Sequence, residues 1–180
     1  MKIQAVQGTQ DIQFNQSHEW QFIEKNIREM MQLFNYKEVR TPIFEYTELF
    51  ARGIGATTDI VSKEMYTFQD MGERWLTLRP ENTASLVRSL IENNLTREFP
   101  QSKFYYIGPM FRRERPQKGR YRQFHQFGAE AFGAKSAELD AEMILLAYDF
   151  YKKFELKNLS LKINSVGNLA SRAVYRQTLK

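Results

Sequence analysis

Apolar residues recur every three or four positions in two long segments of the chain, which is the spacing of one helical face. The first segment runs from Ser17 to Phe34, and Asn35 after it suits the left-handed conformation that often ends a helix. The second segment runs from Ala137 to Lys153, and Ser136 stands where it can cap the first turn. Three shorter helices are predicted at Glu45–Arg52, at Thr83–Asn93 and after Gly167-Asn168.

Other segments show alternating or aromatic-rich patterns that predict strands. The strongest candidates are Phe104–Arg113 and Arg122–Phe132, and the short polar loop between them favours an antiparallel hairpin. The remaining candidates are Lys37–Thr41, Met65–Gln69 and Trp75–Arg79 around an Asp70–Glu73 turn, and Leu159–Ile163, while residues 1–13 form an irregular or extended arm. Because helices and strands mix without regular β–α–β alternation, the expected class is α+β, an antiparallel sheet flanked by helices.

Composition narrows the class of protein. The chain has 180 residues, 42% of them apolar and 14% aromatic, which suffices for one packed domain and argues against disorder. The longest apolar run, Met143–Tyr148, is too short to span a bilayer, and the first residues lack the apolar core of a signal peptide. With no cysteine and two histidines, disulfides are excluded and a zinc site is not expected. We therefore expect a cytoplasmic protein, and its net charge of +5 permits an anionic partner.

The loop between the two strongest strands is the most basic part of the chain. Arg112–Arg122 holds six basic side chains in eleven residues. Guanidinium groups bind phosphate oxygens through two parallel hydrogen bonds and stay charged, so this density favours a phosphate-binding loop. The alternative is a solvated hairpin tip that keeps the sheet soluble.

Strand parity places further polar groups next to this loop. Phe124, Gln126 and Glu130 share one face of the second strand, whereas His125 points to the other and is expected to pack beneath the sheet. If the register aligns them with Arg112, one face carries a cation, a flat ring, an amide and a carboxylate above glycines. Such a face could bind a nucleoside phosphate and an ammonium group. The alternative is an unrelated set of polar residues on a wet sheet face.

A second polar segment, Leu78–Thr83, joins a strand end to a helix start. Glu81 there could complement the helix dipole and Thr83 could act as a partial cap. The competing interpretation is that this carboxylate and hydroxyl receive an ammonium group. Both interpretations stay open on the residues alone.

Several of these segments together resemble a known family. Phe111–Gln126, with its Arg-Pro-Gln-Lys-Gly-Arg-Tyr-Arg run, resembles motif 2 of bacterial histidyl-tRNA synthetases, which are class II aminoacyl-tRNA synthetases. Leu78–Thr83 resembles the histidine-binding segment of that family, and Ser17–Pro42 resembles motif 1, which forms the class II dimer interface. Gly8-Thr9-Gln10-Asp11 is similar to the family's N-terminal signature. The resemblance covers essentially the whole chain.

The resemblance implies an activity: histidine and ATP form histidyl-adenylate and pyrophosphate, and the histidyl group then moves to tRNA(His). It implies a homodimer through Ser17–Pro42 and Mg²⁺ that arrives with ATP, with no dedicated metal ligands in this chain. It implies Arg112 as the catalytic residue, which holds the α-phosphate and the histidine carboxylate. The implied histidine-binding residues are Glu81, Asn82, Thr83, Arg112, Gln126 and Glu130. The implied ATP-binding residues are Arg112, Glu114, which accepts from the adenine amino group, Phe124, which stacks on adenine, and Arg120 for the γ-phosphate.

The chain also departs from the family. It contains motifs 1 and 2, but not the second histidine-specific segment Arg-Gly-Leu-Asp-Tyr-Tyr-Thr, motif 3 or the anticodon-binding domain. Residues 1–180 are therefore expected to be the N-terminal portion of a class II catalytic domain, an incomplete fold with little activity of its own. Two alternatives remain. One is a regulatory synthetase-like subunit of ATP phosphoribosyltransferase, disfavoured by the intact Arg112, Glu114, Arg120 and Gln126. The other is a non-catalytic nucleic-acid-binding module that uses the basic loop.

Overall fold

The computed structural model describes residues 3–53, 64–115, 117–164 and 167–178. The chain divides into two units, Met1–Leu146 and Ala147–Lys180. The helices are α1 (Ser17–Leu33), α2 (Thr47–Gly53), α3 (Thr83–Glu92), α4 (Leu95–Glu98), α5 (Ala137–Lys153) and α6 (Leu169–Thr178). The strands are β1 (Lys37–Glu38), β2 (Phe44–Tyr46), β3 (Tyr66–Gln69), β4 (Trp75–Leu78), β5 (Ser102–Phe111) and β6 (Gln123–Phe132). This mixture confirms the predicted α+β class.

The first sheet carries the predicted long hairpin. Strands β5 and β6 pair antiparallel over their full length, with Gly108 opposite Gln126 and Phe104 opposite Glu130. This register confirms that the polar positions of β6 lie on the Gly108 face of β5. Strand β1 is shorter than predicted and pairs with the other edge of β5 in parallel, so the sheet is not purely antiparallel. The long connection from β1 to β5 allows a parallel pair, which a tight hairpin does not.

The second sheet has the strand order β2-β4-β3, with both pairs antiparallel. The β3–β4 turn is confirmed: Asp70 Oδ1 accepts hydrogen bonds from the backbone nitrogens of Gly72 and Arg74 at 2.9 and 3.0 Å. The predicted helix Glu45–Arg52 is wrong at its first two residues, because Phe44–Tyr46 pairs with β4 and helix α2 begins only at Thr47. Pairing with a neighbouring strand outweighs the local pattern there.

The two faces of this second sheet are unusual in polarity. The inner face carries the buried Thr77, whose hydroxyl lies 2.8 Å from that of Thr47 and 3.1 Å from that of Thr67. Phe44, Tyr46 and Phe68 lie on the opposite face and are largely exposed. The sheet therefore buries the hydrogen-bonded hydroxyl of Thr77 and leaves an aromatic face open.

Helix α3 packs against the first sheet and closes the core. Leu86 and Leu90 of α3 form one cluster with Tyr106 and Met110 of β5, and Phe124 packs at its border. Burial of these side chains provides the hydrophobic free energy that holds the helix over the strands. The N-terminus of α3 is thereby held next to the sheet face that carries the predicted polar residues.

Helices α1 and α5 confirm their predictions. Asn35 has φ of 61° directly after α1, as expected for a left-handed helix stop. At α5 the hydroxyl of Ser136 accepts from the backbone nitrogen of Leu139 at 3.3 Å. Glu142 of α5 pairs with Lys103 at 2.6 Å and accepts from the hydroxyl of Tyr36 at 3.3 Å. Burial, followed by the Glu142 charge, raises the pKa of Tyr36 to about 12.

The second unit contains the end of α5 and helix α6. Asn168 caps α6, since its Oδ1 accepts from the backbone nitrogen of Ser171 at 2.9 Å. The predicted strand Leu159–Ile163 is wrong: no strand pairs with it in the described part of the chain, and Leu161 and Ile163 are exposed. An alternating pattern forms a strand only where a partner supplies the ladder hydrogen bonds. Across the described ranges, no helix is long and apolar enough to cross a membrane.

Candidate active site

The candidate site lies on the β5–β6 face where α3 begins. Strand β6 contributes Phe124, Gln126 and Glu130, which lie opposite Met110, Gly108 and Phe104 of β5. The Leu78–Thr83 segment passes from β4 into α3 next to this face. The structure thus brings together the polar segments that the sequence analysis singled out separately.

Arg112 connects these segments. Its Nε donates to the backbone oxygen of Pro80 at 3.0 Å, which links the end of β5 to the start of α3. Its guanidinium carbon lies 5.2 Å from the centre of the Phe124 ring, within the range of a cation–π contact. A phosphate bound to this guanidinium would therefore lie beside a flat aromatic ring. A nucleoside phosphate suits this arrangement because it carries both a phosphate and a flat base.

The carboxylates of Glu81 and Glu130 both accept hydrogen bonds from Thr83. The two oxygens of Glu81 accept from the backbone nitrogens of Thr83 and Ala84 at 2.6 and 3.0 Å. The hydroxyl of Thr83 donates to Glu130 at 2.7 Å. Glu81 therefore satisfies two of the nitrogens that every helix leaves without an intrahelical partner. Both interpretations of Glu81 are compatible with this geometry, since each carboxylate oxygen has a further lone pair.

Two glycines let large side chains lie flat on the sheet. A Cβ on Gly128 would stand 2.4 Å from the Tyr106 ring, and a Cβ on Gly108 would stand 2.4 Å from Nη2 of Arg79. The predicted open glycine floor is therefore covered by a phenol and a guanidinium. Next to them, Oε1 of Gln126 is buried and accepts no hydrogen bond from any residue that the structure describes.

The basic loop contains one acidic residue, Glu114, which forms ion pairs with its arginines. The carboxylate of Glu114 lies 3.2 Å from Arg120 and 3.9 Å from Arg112. Gly8 of the N-terminal arm accepts from the backbone nitrogen of Arg122 at 2.7 Å, so the arm supports the loop. Pro116 of this loop lies outside the described residues. Glu114 thus already contacts Arg112 and Arg120, two of the other residues predicted to bind ATP.

Arg79 and Asn82 form a buried layer beneath the site. Arg79 is 5% exposed and Asn82 is fully buried. The Oδ1 of Asn82 accepts from Thr41 at 2.6 Å and from Arg79 at 3.4 Å, so this side chain contacts protein groups from below. Arg79 was not among the predicted site residues. The available signal was a charged residue between β4 and Pro80, just ahead of the segment that leads into α3.

The opposite face of β6 has a different character. The ring of His125 lies on the predicted opposite face, 4.5 Å from that of Trp20 on α1, but the residue is exposed rather than packed away from solvent. Partial desolvation lowers the pKa of His125. A cavity of about 620 Å³ lies there, lined by Gln10, Asp11, Ile12, Trp20, Tyr121, Gln123, Phe124 and His125. In the described part of the chain, no three Asp, Glu or His side chains are grouped closely enough to hold a metal ion.

Comparison with known proteins identifies the family. A model described as histidyl-tRNA synthetase matches residues 8–177. The chain belongs to the histidyl-tRNA synthetase family. A histidine–tRNA ligase of Bacillus cytotoxicus is 57% identical over 180 residues, which is 99% of this chain and 43% of that protein. The chain therefore spans less than half the length of the curated relatives that it matches.

Solved structures agree with the fold. An apo histidyl-tRNA synthetase of S. aureus is 47% identical with a TM-score of 0.81, covering 99% of this chain and 41% of that one. A Bacillus halodurans protein titled as ATP phosphoribosyltransferase regulatory subunit/histidyl-tRNA synthetase shares 23% identity with a TM-score of 0.74, covering 88% and 40%. At that identity the likeness concerns the fold alone. The regulatory-subunit alternative is accordingly less favoured than synthetase membership.

Proposed function

We propose that the protein activates L-histidine with ATP and transfers the histidyl group to tRNA(His). The observation that carries this proposal is the β5–β6 register, which aligns Gln126 with Gly108 and Glu130 with Phe104. One sheet face thereby carries groups suited to an amino acid and to a nucleotide. Membership of the histidyl-tRNA synthetase family supports the same substrates.

The proposed amino-acid subsite is the α3 end of this face. Glu81, Thr83 and Glu130 form one hydrogen-bonded group of net negative charge, which suits the ammonium and imidazole N–H groups of histidine. The free Oε1 of Gln126 is an acceptor for one further donor. Asn82 is proposed to act from beneath, by holding Arg79 in place.

The proposed nucleotide subsite is the loop end. There Phe124 stacks on adenine, Glu114 accepts from its amino group, and Arg120 binds the γ-phosphate. Glu114 is now paired with Arg120, so ATP binding would exchange this ion pair for contacts with the nucleotide. The carboxylates of the site already have partners, so Mg²⁺ is proposed to bind through the ATP phosphates, which usually supply its ligands.

In the proposed reaction, a carboxylate oxygen of histidine attacks the α-phosphorus of ATP. The new P–O bond forms as the bond to the β-phosphate oxygen breaks, and pyrophosphate leaves with that electron pair. Arg112 faces the region where negative charge develops, and a preorganised cation there lowers the barrier. Positioning matters more than a strong base, since the carboxylate is already ionised.

The proposal extends to the whole protein. Residues 1–180 would be the N-terminal part of a class II catalytic domain. The protein would work in the cytoplasm, where tRNA is charged, and as a homodimer through the Ser17–Pro42 region. Within that region Phe22 and Leu33 are exposed, whereas Ile27 and Met30 are buried in their own chain. Phe22 and Leu33 are therefore available for such an interface, whereas Ile27 and Met30 are not.

Histidine-dependent exchange between ATP and pyrophosphate tests the proposal. We expect exchange from the full-length protein and little from residues 1–180 alone, because the downstream arginines of the family are absent from this stretch. Each missing charged donor commonly costs about 3 kcal/mol in the transition state. Arg112→Ala in the full-length protein should abolish exchange, whereas Arg52→Ala, at an exposed position of α2, should leave it unchanged. A full-length protein without exchange that still retains the complete synthetase motifs would favour a regulatory role instead.

A further inference from the structure

Arg79 is a buried cation that forms no ion pair with any carboxylate that the structure describes, and the charge of Glu45 offsets the effect of its burial only in part. Its Nε donates to the backbone oxygen of Pro109 at 2.9 Å, and its Nη1 donates to the backbone oxygen of Thr41 at 3.1 Å. Its Nη2 donates to no group in the described part of the chain, and no carboxylate there lies within ion-pair distance of the guanidinium. A buried charge is costly unless it is paired, so the structure leaves room for an anion at Nη2.

The free end of Arg79 lies inside the candidate site. A Cβ on Gly108 would stand 2.4 Å from Nη2, which places this nitrogen on the site face of β5. Gly108 pairs with Gln126, whose buried Oε1 lacks a donor among the described residues. An Arg79 nitrogen without an acceptor thus lies beside Gly108, and the strand partner of Gly108, Gln126, has an acceptor without a donor.

These two unmet groups fit one kind of ligand. An α-amino acid carries a carboxylate and an ammonium group on the same carbon, so one molecule could satisfy both. A phosphate would meet Arg79 but would offer Gln126 no donor. Arg112, beside the Phe124 ring, is the better placed cation for a nucleotide phosphate. The carboxylate interpretation is therefore favoured over the phosphate one.

We propose that Nη2 of Arg79 binds the α-carboxylate of the amino-acid substrate, beside Gln126. This inference rests on the proposed function and assigns the site a binding residue in addition to Arg112. Gly108 is part of the same arrangement, because any side chain there would displace the guanidinium. Thr41 and Asn82 accept hydrogen bonds from Nη1 of Arg79 and so fix the direction of Nη2.

Calorimetric titration of the full-length protein with L-histidine, histidinol and ATP tests the proposal. Histidinol retains the ammonium and imidazole groups but has an alcohol in place of the carboxylate. In Gly108→Ala the new methyl meets only Arg79, so the fold should persist while Nη2 is displaced. Loss of a charged hydrogen bond should weaken histidine binding about tenfold or more and leave histidinol and ATP binding within twofold. Gly72→Ala, in the β3–β4 turn, is the matched control and should bind all three ligands like the parent.

Two variants of Arg79 separate the effect of its positive charge from its structural role. Arg79→Lys should keep part of the histidine affinity, and Arg79→Met should lose it. Each variant is compared with the parent at a temperature at which both proteins are folded. Equal losses for histidine and histidinol would reveal a merely structural role and overturn the inference. A loss confined to ATP would assign Arg79 to a phosphate and overturn it as well. Failure of the unaltered protein to bind histidine at all would instead count against the proposed function.

Discussion

Glu81 combines two tasks in one side chain. Its carboxylate accepts from the first two backbone nitrogens of α3, and we propose that its remaining lone pairs serve the amino-acid subsite. Glu81→Ala should therefore lower the free energy of unfolding by about 1 kcal/mol, as loss of a helix cap does, and also raise the KM for histidine. Glu81→Gln keeps an acceptor for the helix and should recover most of the stability but not the histidine KM. Chemical denaturation and exchange kinetics measure the two effects separately, and recovery of both by glutamine would contradict the proposed charge role.

His125 should make the stability depend on pH. Partial desolvation beside Trp20 disfavours the charged ring and lowers the pKa of this still exposed residue in the folded chain, although Glu24 opposes this in part. The unfolded chain therefore binds more protons below about pH 6.5, the ordinary histidine value. The stabilising contribution is complete above that pH and is lost as the pH falls through the folded pKa.

The test is denaturant unfolding at several pH values between about 5 and 8, the range in which histidine titrates. His125→Gln should reduce the loss of stability on acidification. His18→Gln changes the only other histidine, which is exposed on α1, and serves as the control. Identical pH profiles for the His125 variant and the parent would show that this ring does not contribute.

At the scale of elements, the end of the β5–β6 hairpin is fixed by a glycine. Gly133 has φ of 87°, and a Cβ there would stand 1.6 Å from the backbone oxygen of Pro100. Gly119 has a similar φ of 79°, but a Cβ there would meet nothing within 4 Å. Gly119→Ala should cost only the conformational strain, about 1–3 kcal/mol. Gly133→Ala adds a backbone clash and should cost clearly more, which thermal unfolding of the two variants would reveal. Equal losses would mean that the strand ends move apart freely.

The elements predicted well from sequence are those whose pattern is local. Helix α1 and the β5–β6 hairpin follow from spacing and parity, and the parity alone placed Gln126 and Glu130 on one face. The errors came from pairing between distant segments. Glu45 begins no helix because β4 recruits it into a strand, and Leu159–Ile163 forms no strand because the described chain offers it no partner.

The candidate site was predictable only in part, because local patterns reveal some of its residues and contacts between distant segments determine the rest. Its exposed polar residues lie in recognisable segments, whereas Arg79 is a single charge in an apolar stretch. Only the three-dimensional contacts show that Gly108 leaves space for its guanidinium and that Pro109 and Thr41 hold it. No sequence pattern places residues of β4, β5 and the Thr41 segment around one side chain.

At the scale of the whole molecule, assembly is the remaining question. The helix face predicted from spacing faces inward, since Ile27 and Met30 are 3% and 4% exposed. Phe22 and Leu33 of α1 are 60% and 82% exposed, which is unusual for large apolar side chains on one helix. A second copy of the chain that covered them would gain about 1.5–3 kcal/mol for each fully buried side chain.

We therefore expect Leu33→Ser and Phe22→Ser to weaken dimerisation of the full-length protein at least about tenfold, which corresponds to 1.4 kcal/mol. Sedimentation equilibrium over a range of protein concentrations measures the dissociation constant. Met71→Ser is the matched control, because Met71 is a fully exposed apolar residue in the β3–β4 turn. If all three variants dimerise like the parent, the contact lies elsewhere, and the aromatic face of Phe44, Tyr46 and Phe68 becomes the surface to test. A parent that stays monomeric at high concentration would contradict the homodimer altogether. It would also show that Phe22 and Leu33 of α1 are not covered by a second copy of the chain.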